Sequence, residues 1–234
     1  EEIMNACRIA FENGRSTVKL YFMMGLPTET EEDVKGIAEL SDLIARTYYD
    51  TVPKEKRNGK AEITTSTSFF VPKPFTPFQW VRMATAEEFM DARKVLSGAI
   101  KEQLNAKSIR YNWHDPEMTV IEGLLARGDR KLCAVVEEVY QKGKTIFEAW
   151  SEYFHYENWE RAMEACGLSM DFYTLRERKA DEILPWDYID IGVTKKFLRS
   201  EYEKGLQSIV TPNCRQACAG CGAADLSKGK CPAR

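Results

Sequence analysis

The chain has 234 residues, of which 44% are hydrophobic and 11% aromatic, so it is long and apolar enough to fill a core. A net charge of −3 gives no general attraction to nucleic acid or to an anionic membrane. The sequence has no run of about 18 apolar residues and does not open with a signal peptide, which argues against a membrane-spanning class and favours a cytoplasmic location.

The first residues predict a helix that is already under way. Glu1 is followed by apolar residues at helical spacing, and no methionine begins the chain. We therefore expect the chain to start inside a longer polypeptide, whose upstream half would be one of its partners.

A strand followed by a helix is predicted next. The apolar run Val18–Met24 is typical of a strand covered on both faces in a parallel sheet. Gly25-Leu26-Pro27 ends it, and either Thr28 or Thr30 can cap the helix; Thr28 with Glu31 fits a capping box. Gly25 would let the backbone approach a ligand at the carboxyl end of the strand, where barrel enzymes build their active sites. On this pattern alone, a purely structural turn is the simpler interpretation.

Strand and helix continue to alternate to about residue 115. Residues 63–71 are rich in Thr, Ser and Phe and predict a second strand. The three prolines of residues 72–80 exclude both a helix and a central strand. A helix over residues 86–107, capped by Thr85, and a short strand at 108–112 follow. This alternation favours a parallel α/β sheet or barrel.

The pattern becomes helical after residue 115 and irregular after residue 183. One more helix is predicted over residues 195–206. Four helices are predicted in the middle, over residues 116–128, 129–142, 146–154 and 158–166. We therefore expect three regions: an α/β domain at 1–115, a helical region at 116–183 and a tail at 184–234.

Two motifs resemble those of radical S-adenosylmethionine enzymes. Gly25-Leu26-Pro27-Thr28-Glu29-Thr30 is similar to the Gly-Phe/Leu-Pro-Gly-Glu-Thr turn after the fifth barrel strand of that family, with Thr28 replacing the usual Gly. Phe69–Trp80 resembles the proline- and aromatic-rich stretch after the sixth strand in members with a cobalamin-binding domain. Both motifs occur in the order that the family has.

The resemblance implies a fold, cofactors and site residues. The chain would be the C-terminal part of a partial TIM-type barrel, followed by a helical region and a Cys-rich tail. The intact enzyme would cleave S-adenosylmethionine with a reduced [4Fe–4S] cluster to modify an unknown substrate, and this chain alone would be inactive. Cobalamin is a candidate second cofactor of the intact enzyme. Lys73 could pair with an anionic substrate group, or its segment could be a rigid crossover. The contacts to S-adenosylmethionine would come from Met23, Met24, Gly25, Leu26, Pro27 and Glu29.

Four cysteines close to the end predict a metal site. Cys214, Cys218 and Cys221 have the Cys-x₃-Cys-x₂-Cys spacing of the catalytic cluster in the resembled family, and Cys231 follows. In that family the cysteine loop precedes the barrel, so we expect an auxiliary zinc or iron–sulfur site here. A reduced, disordered tail is the alternative.

Two other functions stay open at this point. A cysteine knuckle beside basic residues such as Lys195 and Arg199 could make the chain a non-catalytic module that binds RNA or a protein. Alternatively, the chain could be a complete small α/β enzyme that uses the tail cysteines for its only cluster.

Overall fold

The computed structural model describes residues 1–143 and 147–226. They divide into two compact units, which are described separately. The first unit comprises Glu1–Phe70 and Ala84–Thr119, and the second comprises Val71–Met83 and the described residues from Val120 onward. None of the helices in these ranges is both long enough and apolar enough to cross a bilayer.

The first unit is built on a parallel sheet of three strands. They are β1 (Thr17–Met24), β2 (Glu62–Phe69) and β3 (Ile109–Trp113), in the order β1-β2-β3. The β1–β2 register runs from Thr17↔Glu62 to Met24↔Phe69, so their carboxyl ends lie at one edge of the sheet.

The expected partial barrel is wrong for this chain. The three strands form an open sheet, and no further strand occurs in the described residues. A barrel must close on itself, and eight strands enclose a space just wide enough for side chains to fill. Three strands with free edges cannot do this. The positions of the strands were predicted well. The resemblance to radical S-adenosylmethionine enzymes, however, implied part of a barrel, and these strands do not form one.

Three helices cover one face of this sheet: α1 (Glu2–Glu12), α2 (Glu31–Thr51) and α3 (Ala86–Glu102). The α2 and α3 helices begin at capping boxes, Thr30 with Asp33 and Thr85 with Glu88. Each box satisfies backbone donors that a helix start leaves unpaired. The core beneath them includes Phe11, Ile44, Tyr48 and Ile63, all buried.

The other face of the sheet, called here the uncovered face, is mostly polar. Side chains alternate across a strand, and on β2 Ile63, Thr65, Thr67 and Phe69 are buried while their neighbours are exposed or half-exposed. None of the helices α1, α2 and α3 lies on this second face. Its side chains are Lys19, Tyr21, Met23, Thr64, Ser66, Ser68, Arg110 and Asn112. Parallel sheets are normally covered on both sides, so this face is available to a ligand or to further polypeptide.

The second unit contains the Pro-rich segment and the later helices. They are α5 (Leu132–Gly143), α6 (Tyr156–Ala165), α7 (Met170–Thr174), α8 (Lys195–Leu206) and α9 (Ala223–Leu226). Helix α4 (Pro116–Arg127) begins in the first unit and ends in the second. One core of this unit joins Leu124 to Val135, Trp159 and Met163, and another joins Trp80 to Leu184, Trp186 and Leu198.

The helix expected over residues 146–154 is absent from the described part of that range. Phe147 has a positive φ of 66°, and residues 147–153 form successive turns. A bulky aromatic residue in this conformation interrupts right-handed helical geometry. Residues 144–146 lie outside the described residues.

Candidate functional site

The turn after β1 is held in one conformation by its own backbone and by a carboxylate. Gly25 has a φ of +84°, and its N–H donates to Oε2 of Glu29 at 2.6 Å. The N–H of Glu29 donates to the carbonyl of Leu26 at 3.1 Å, closing a β-turn through Pro27 and Thr28. Both hydrogen bonds fix where the chain leaves the sheet.

Gly25 is required for a steric reason as well. A Cβ at this position would lie 2.5 Å from Cε1 of Phe89, whose ring stacks on Phe69 with centroids 4.4 Å apart. Phe89 is fully buried. Only glycine combines a positive φ with this close approach to a core ring.

The Glu29 carboxylate is partly desolvated. Burial raises the pKa of Glu29, the hydrogen bond from Gly25 opposes that rise, and the charge of Asp33 adds to it. The carboxylate therefore acts as an acceptor inside the turn, and its single described partner is the backbone.

The residues predicted to bind S-adenosylmethionine fall into two groups. Met23 and Leu26 are exposed, and Met23 belongs to the uncovered face. Met24 is fully buried, and its carbonyl accepts from the N–H of Phe70 at 2.8 Å. A ligand at this edge could therefore contact Met23 and the backbone of Gly25, but not the side chain of Met24.

Two further polar residues lie at the same edge. Neither is among the predicted site residues. Ser68 pairs with Met23 in the sheet register and is exposed. His114 is exposed beyond β3, where its N–H donates to the carbonyl of Thr67 at 2.9 Å. We call Met23, Gly25, Ser68 and His114 the carboxyl-edge surface. The alternation of small polar residues in β2 is the sequence signal that could have indicated Ser68.

The Pro-rich segment packs inside the second unit. Gln79 is buried, and its Oε1 accepts from Nε1 of Trp186 at 2.7 Å and from the N–H of Phe75 at 3.1 Å. Lys73 forms an ion pair with Glu122. The ammonium group considered for an anionic substrate therefore has a protein carboxylate as its partner, which favours the structural interpretation of this segment.

The tail cysteines do not form the predicted metal centre in the part of the chain that the structure describes. Cys214 and Cys218 are exposed free thiols, and Cys221 is half-buried. Within the described ranges, no group of three His, Cys, Asp or Glu side chains is placed to hold a metal ion. The prediction of a metal-binding cluster is therefore wrong for residues 214–221 as the structure describes them. Cys231, the fourth predicted ligand, lies outside the described residues.

Local hydrogen bonds hold the backbone around these cysteines. Residues 213–217, which include Cys214, form a turn in which the carbonyl of Asn213 accepts from the N–H groups of Gln216 and Ala217. The carbonyl of Cys221 accepts from the N–H of Thr194 at 2.8 Å. The thiols of Cys214 and Cys218 are exposed, whereas metal binding needs the thiolates to converge on one point.

Comparison with known proteins gives one relative and no named activity. No protein-family profile matches the chain, and no solved structure matches it. An uncharacterized protein of Methanocaldococcus jannaschii is 34% identical over 144 residues, which are 62% of this chain and 28% of that protein. The chain thus spans less than a third of this relative's length.

Proposed function

We propose that the carboxyl-edge surface contacts the adenine of S-adenosylmethionine, and that this chain is the later part of a longer radical S-adenosylmethionine enzyme. The observation that carries the proposal is a rigid glycine turn at the carboxyl end of β1, beside the polar uncovered face. The proposal requires neither a closed barrel nor a metal centre within this chain.

The half-covered sheet supports a role that needs more polypeptide. Among the described residues β1 pairs only with β2, so its other edge is unpaired. A parallel sheet with one bare face and a free strand edge is an unusual final state for a protein. The relative from Methanocaldococcus jannaschii has ample further length to complete such a sheet, since the aligned residues are 28% of it.

Met23 and Gly25 of this surface, together with Glu29, have defined roles in this proposal. The exposed side chain of Met23 offers an apolar, polarisable contact for an aromatic ring. Gly25 has no side chain, so a ligand can approach its backbone, and Glu29 keeps the turn from moving. S-adenosylmethionine, when bound, would supply the 5′-deoxyadenosyl group. The substrate, the use of cobalamin and a cytoplasmic location stay predictions.

Ligand-observed NMR tests the proposal. Saturation transfer from the chain to the adenine protons of S-adenosylmethionine and of 5′-deoxyadenosine would report even millimolar binding. Met23→Gln removes an apolar contact at a side chain that is 47% exposed, and Ile9→Gln is a matched control on α1 at 52%. We expect Met23→Gln to weaken the signal severalfold and Ile9→Gln to leave it unchanged.

Two results would contradict this proposal. The first is an absence of saturation transfer to the adenine protons from the unmodified chain. The second is an equal loss of signal in Met23→Gln and Ile9→Gln, which would place the contact elsewhere.

A further inference from the structure

The second unit contains a cavity lined by cationic and aromatic side chains. Its volume is about 420 Å³, within the range of small-molecule sites. Trp80 and Tyr202 provide aromatic surface, and Arg178, Lys179 and Arg199 provide positive charge. The guanidinium of Arg199 lies over both rings, 5.8 Å from the centroid of Trp80 and 5.1 Å from that of Tyr202. This cavity is independent of the function proposed for the first unit.

Two buried guanidinium groups without carboxylate hydrogen-bond partners occur in this unit: that of Arg178, which lines the cavity, and that of Arg127, whose carbonyl accepts from Arg178. Arg127 is 0% exposed and Arg178 is 4% exposed. Arg127 donates to the carbonyls of Tyr173 and Arg176, and Arg178 donates to those of Arg127 and Tyr173. Every described acceptor is a neutral carbonyl. Buried charges are normally paired, because burial without a counter-charge is costly.

One carboxylate serves this group of cations. Glu182 binds Arg176 through two hydrogen bonds of 2.8 Å each. Burial lowers the pKa of Arg127 to about 9 and that of Arg178 to about 10, and repulsion from Arg176 contributes to both. Both groups stay protonated at neutral pH. Among these three guanidinium groups, Arg176 alone donates to a carboxylate in the described residues.

Two residues that line the cavity carry buried donors without acceptors. Nε and Nη1 of Arg178 and Nε1 of Trp80 are buried and have no hydrogen-bond partner among the described residues. The two residues are adjacent, because the N–H of Arg178 donates to the carbonyl of Trp80 at 2.8 Å. Unsatisfied buried donors are rare in native proteins and call for an explanation. A ligand rich in acceptor oxygens would provide it.

We propose that this cavity binds the phosphate group of a small phosphorylated molecule. A phosphate offers more acceptor oxygens than a carboxylate, and guanidinium groups bind it through short, charge-assisted hydrogen bonds. Glu177 and Asp181 are exposed at the cavity, and Glu203 accepts from Nε of Arg199 at 3.0 Å. These acidic groups repel every anion, and the repulsion grows with the number of phosphates close to them, so the site favours one phosphate over a nucleic-acid backbone.

The indole of Trp80 provides a direct measurement. In the ¹⁵N-labelled chain, its Nε1–H signal can be assigned by its loss in Trp80→Phe. Sodium phosphate is titrated against sodium chloride at equal ionic strength. We expect a saturable shift of this signal with phosphate and none with chloride. Absence of a saturable shift would overturn the proposal.

Variants on α8 separate the site from general charge effects. Arg199→Ala removes a cation from the cavity wall, and Lys196→Ala removes an exposed cation from the same helix outside it. Loss of one charge-assisted hydrogen bond predicts about tenfold weaker phosphate binding in Arg199→Ala. Lys196→Ala should change it less than about twofold, on the same reasoning. Equal weakening in both variants would overturn the proposal.

Two further ligands distinguish a small phosphorylated molecule from a nucleic-acid backbone as the source of the phosphate. Ribose 5-phosphate should bind at least as tightly as inorganic phosphate, because the cavity has space for the attached sugar. An oligouridylate of the same phosphate concentration should bind more weakly than ribose 5-phosphate. If the oligouridylate saturated the Trp80 signal first, the small-molecule assignment would be wrong.

Discussion

Replacing Gly25 by Ala should destabilise the first unit by about 3 kcal/mol, the sum of two separable costs. A positive φ costs an L-residue roughly 1–2 kcal/mol, partly offset by the smaller freedom of the unfolded chain, about 0.4–1 kcal/mol. The new Cβ would also lie 2.5 Å from the buried ring of Phe89. Overpacking a core in this way typically costs about 1–3 kcal/mol.

Gly14→Ala is a matched control for the first of these costs. Gly14 has a φ of +82°, and a Cβ there would meet nothing within 4 Å. Its expected loss is therefore only about 1 kcal/mol, from the backbone alone. The difference of about 2 kcal/mol between the two variants measures the clash with Phe89.

Hydrogen exchange followed by mass spectrometry can measure this difference in the first unit alone. Peptides from β1 and β2 should exchange faster in Gly25→Ala, while peptides from α6 in the second unit serve as an internal reference. Equal losses of protection in Gly25→Ala and Gly14→Ala would refute the steric argument. No loss in either would also refute the backbone argument.

Three further predictions concern other residues. Thr28 has a φ of +69° and an exposed side chain. Thr28→Gly should therefore raise the free energy of unfolding by about 0.5–1 kcal/mol, whereas Thr28→Ala, which keeps the backbone strain, should not. Urea denaturation of both variants checks this. The raised pKa of Glu29 means that the native state holds its proton more tightly than the unfolded state. The first unit should therefore lose stability as the pH rises from 4.5 through the native pKa, and Glu29→Gln should remove that dependence in urea midpoints measured between pH 4 and 7. Arg176 lowers the pKa of Glu182, so the stabilisation from this pair is present above the ordinary value of 4.5 and is lost as the pH falls through the native pKa. Glu182→Gln should flatten that acid limb in thermal unfolding of the second unit.

Local signals in the sequence predicted local structure well. The strands at 18–24, 63–71 and 108–112 lie within one or two residues of β1, β2 and β3. Apolar runs and Thr/Glu capping patterns depend on neighbouring residues, so a single sequence carries them. The capping box of α2 begins at Thr30 and not at Thr28, because Thr28 lies in the preceding turn with a positive φ. An N-cap needs extended backbone, which Thr30 has with φ −109° and ψ 166°.

Features that depend on distant residues could not be predicted in this way. Barrel closure depends on how many strands meet, and no motif near Gly25 carries that information. The cysteine spacing at 214–221 described a possible ligand set but not where the folded chain places those thiols, which form no metal-binding group in the described residues. Arg127 and Arg178 gave no signal at all, because an arginine usually lies in solvent. Their burial results from packing against residues more than forty positions away.

The unpaired edge of β1 has a consequence for handling the protein. An exposed row of backbone donors and acceptors is a template for adding strands from other molecules. Tyr21, which is 77% exposed, adds an apolar aromatic surface on the same strand. Lys19 is a charged residue of that strand and opposes the addition of strands from other molecules. Isolated chains should therefore self-associate through β1 as concentration rises, and Lys19→Val should lower the concentration at which light scattering first detects aggregates.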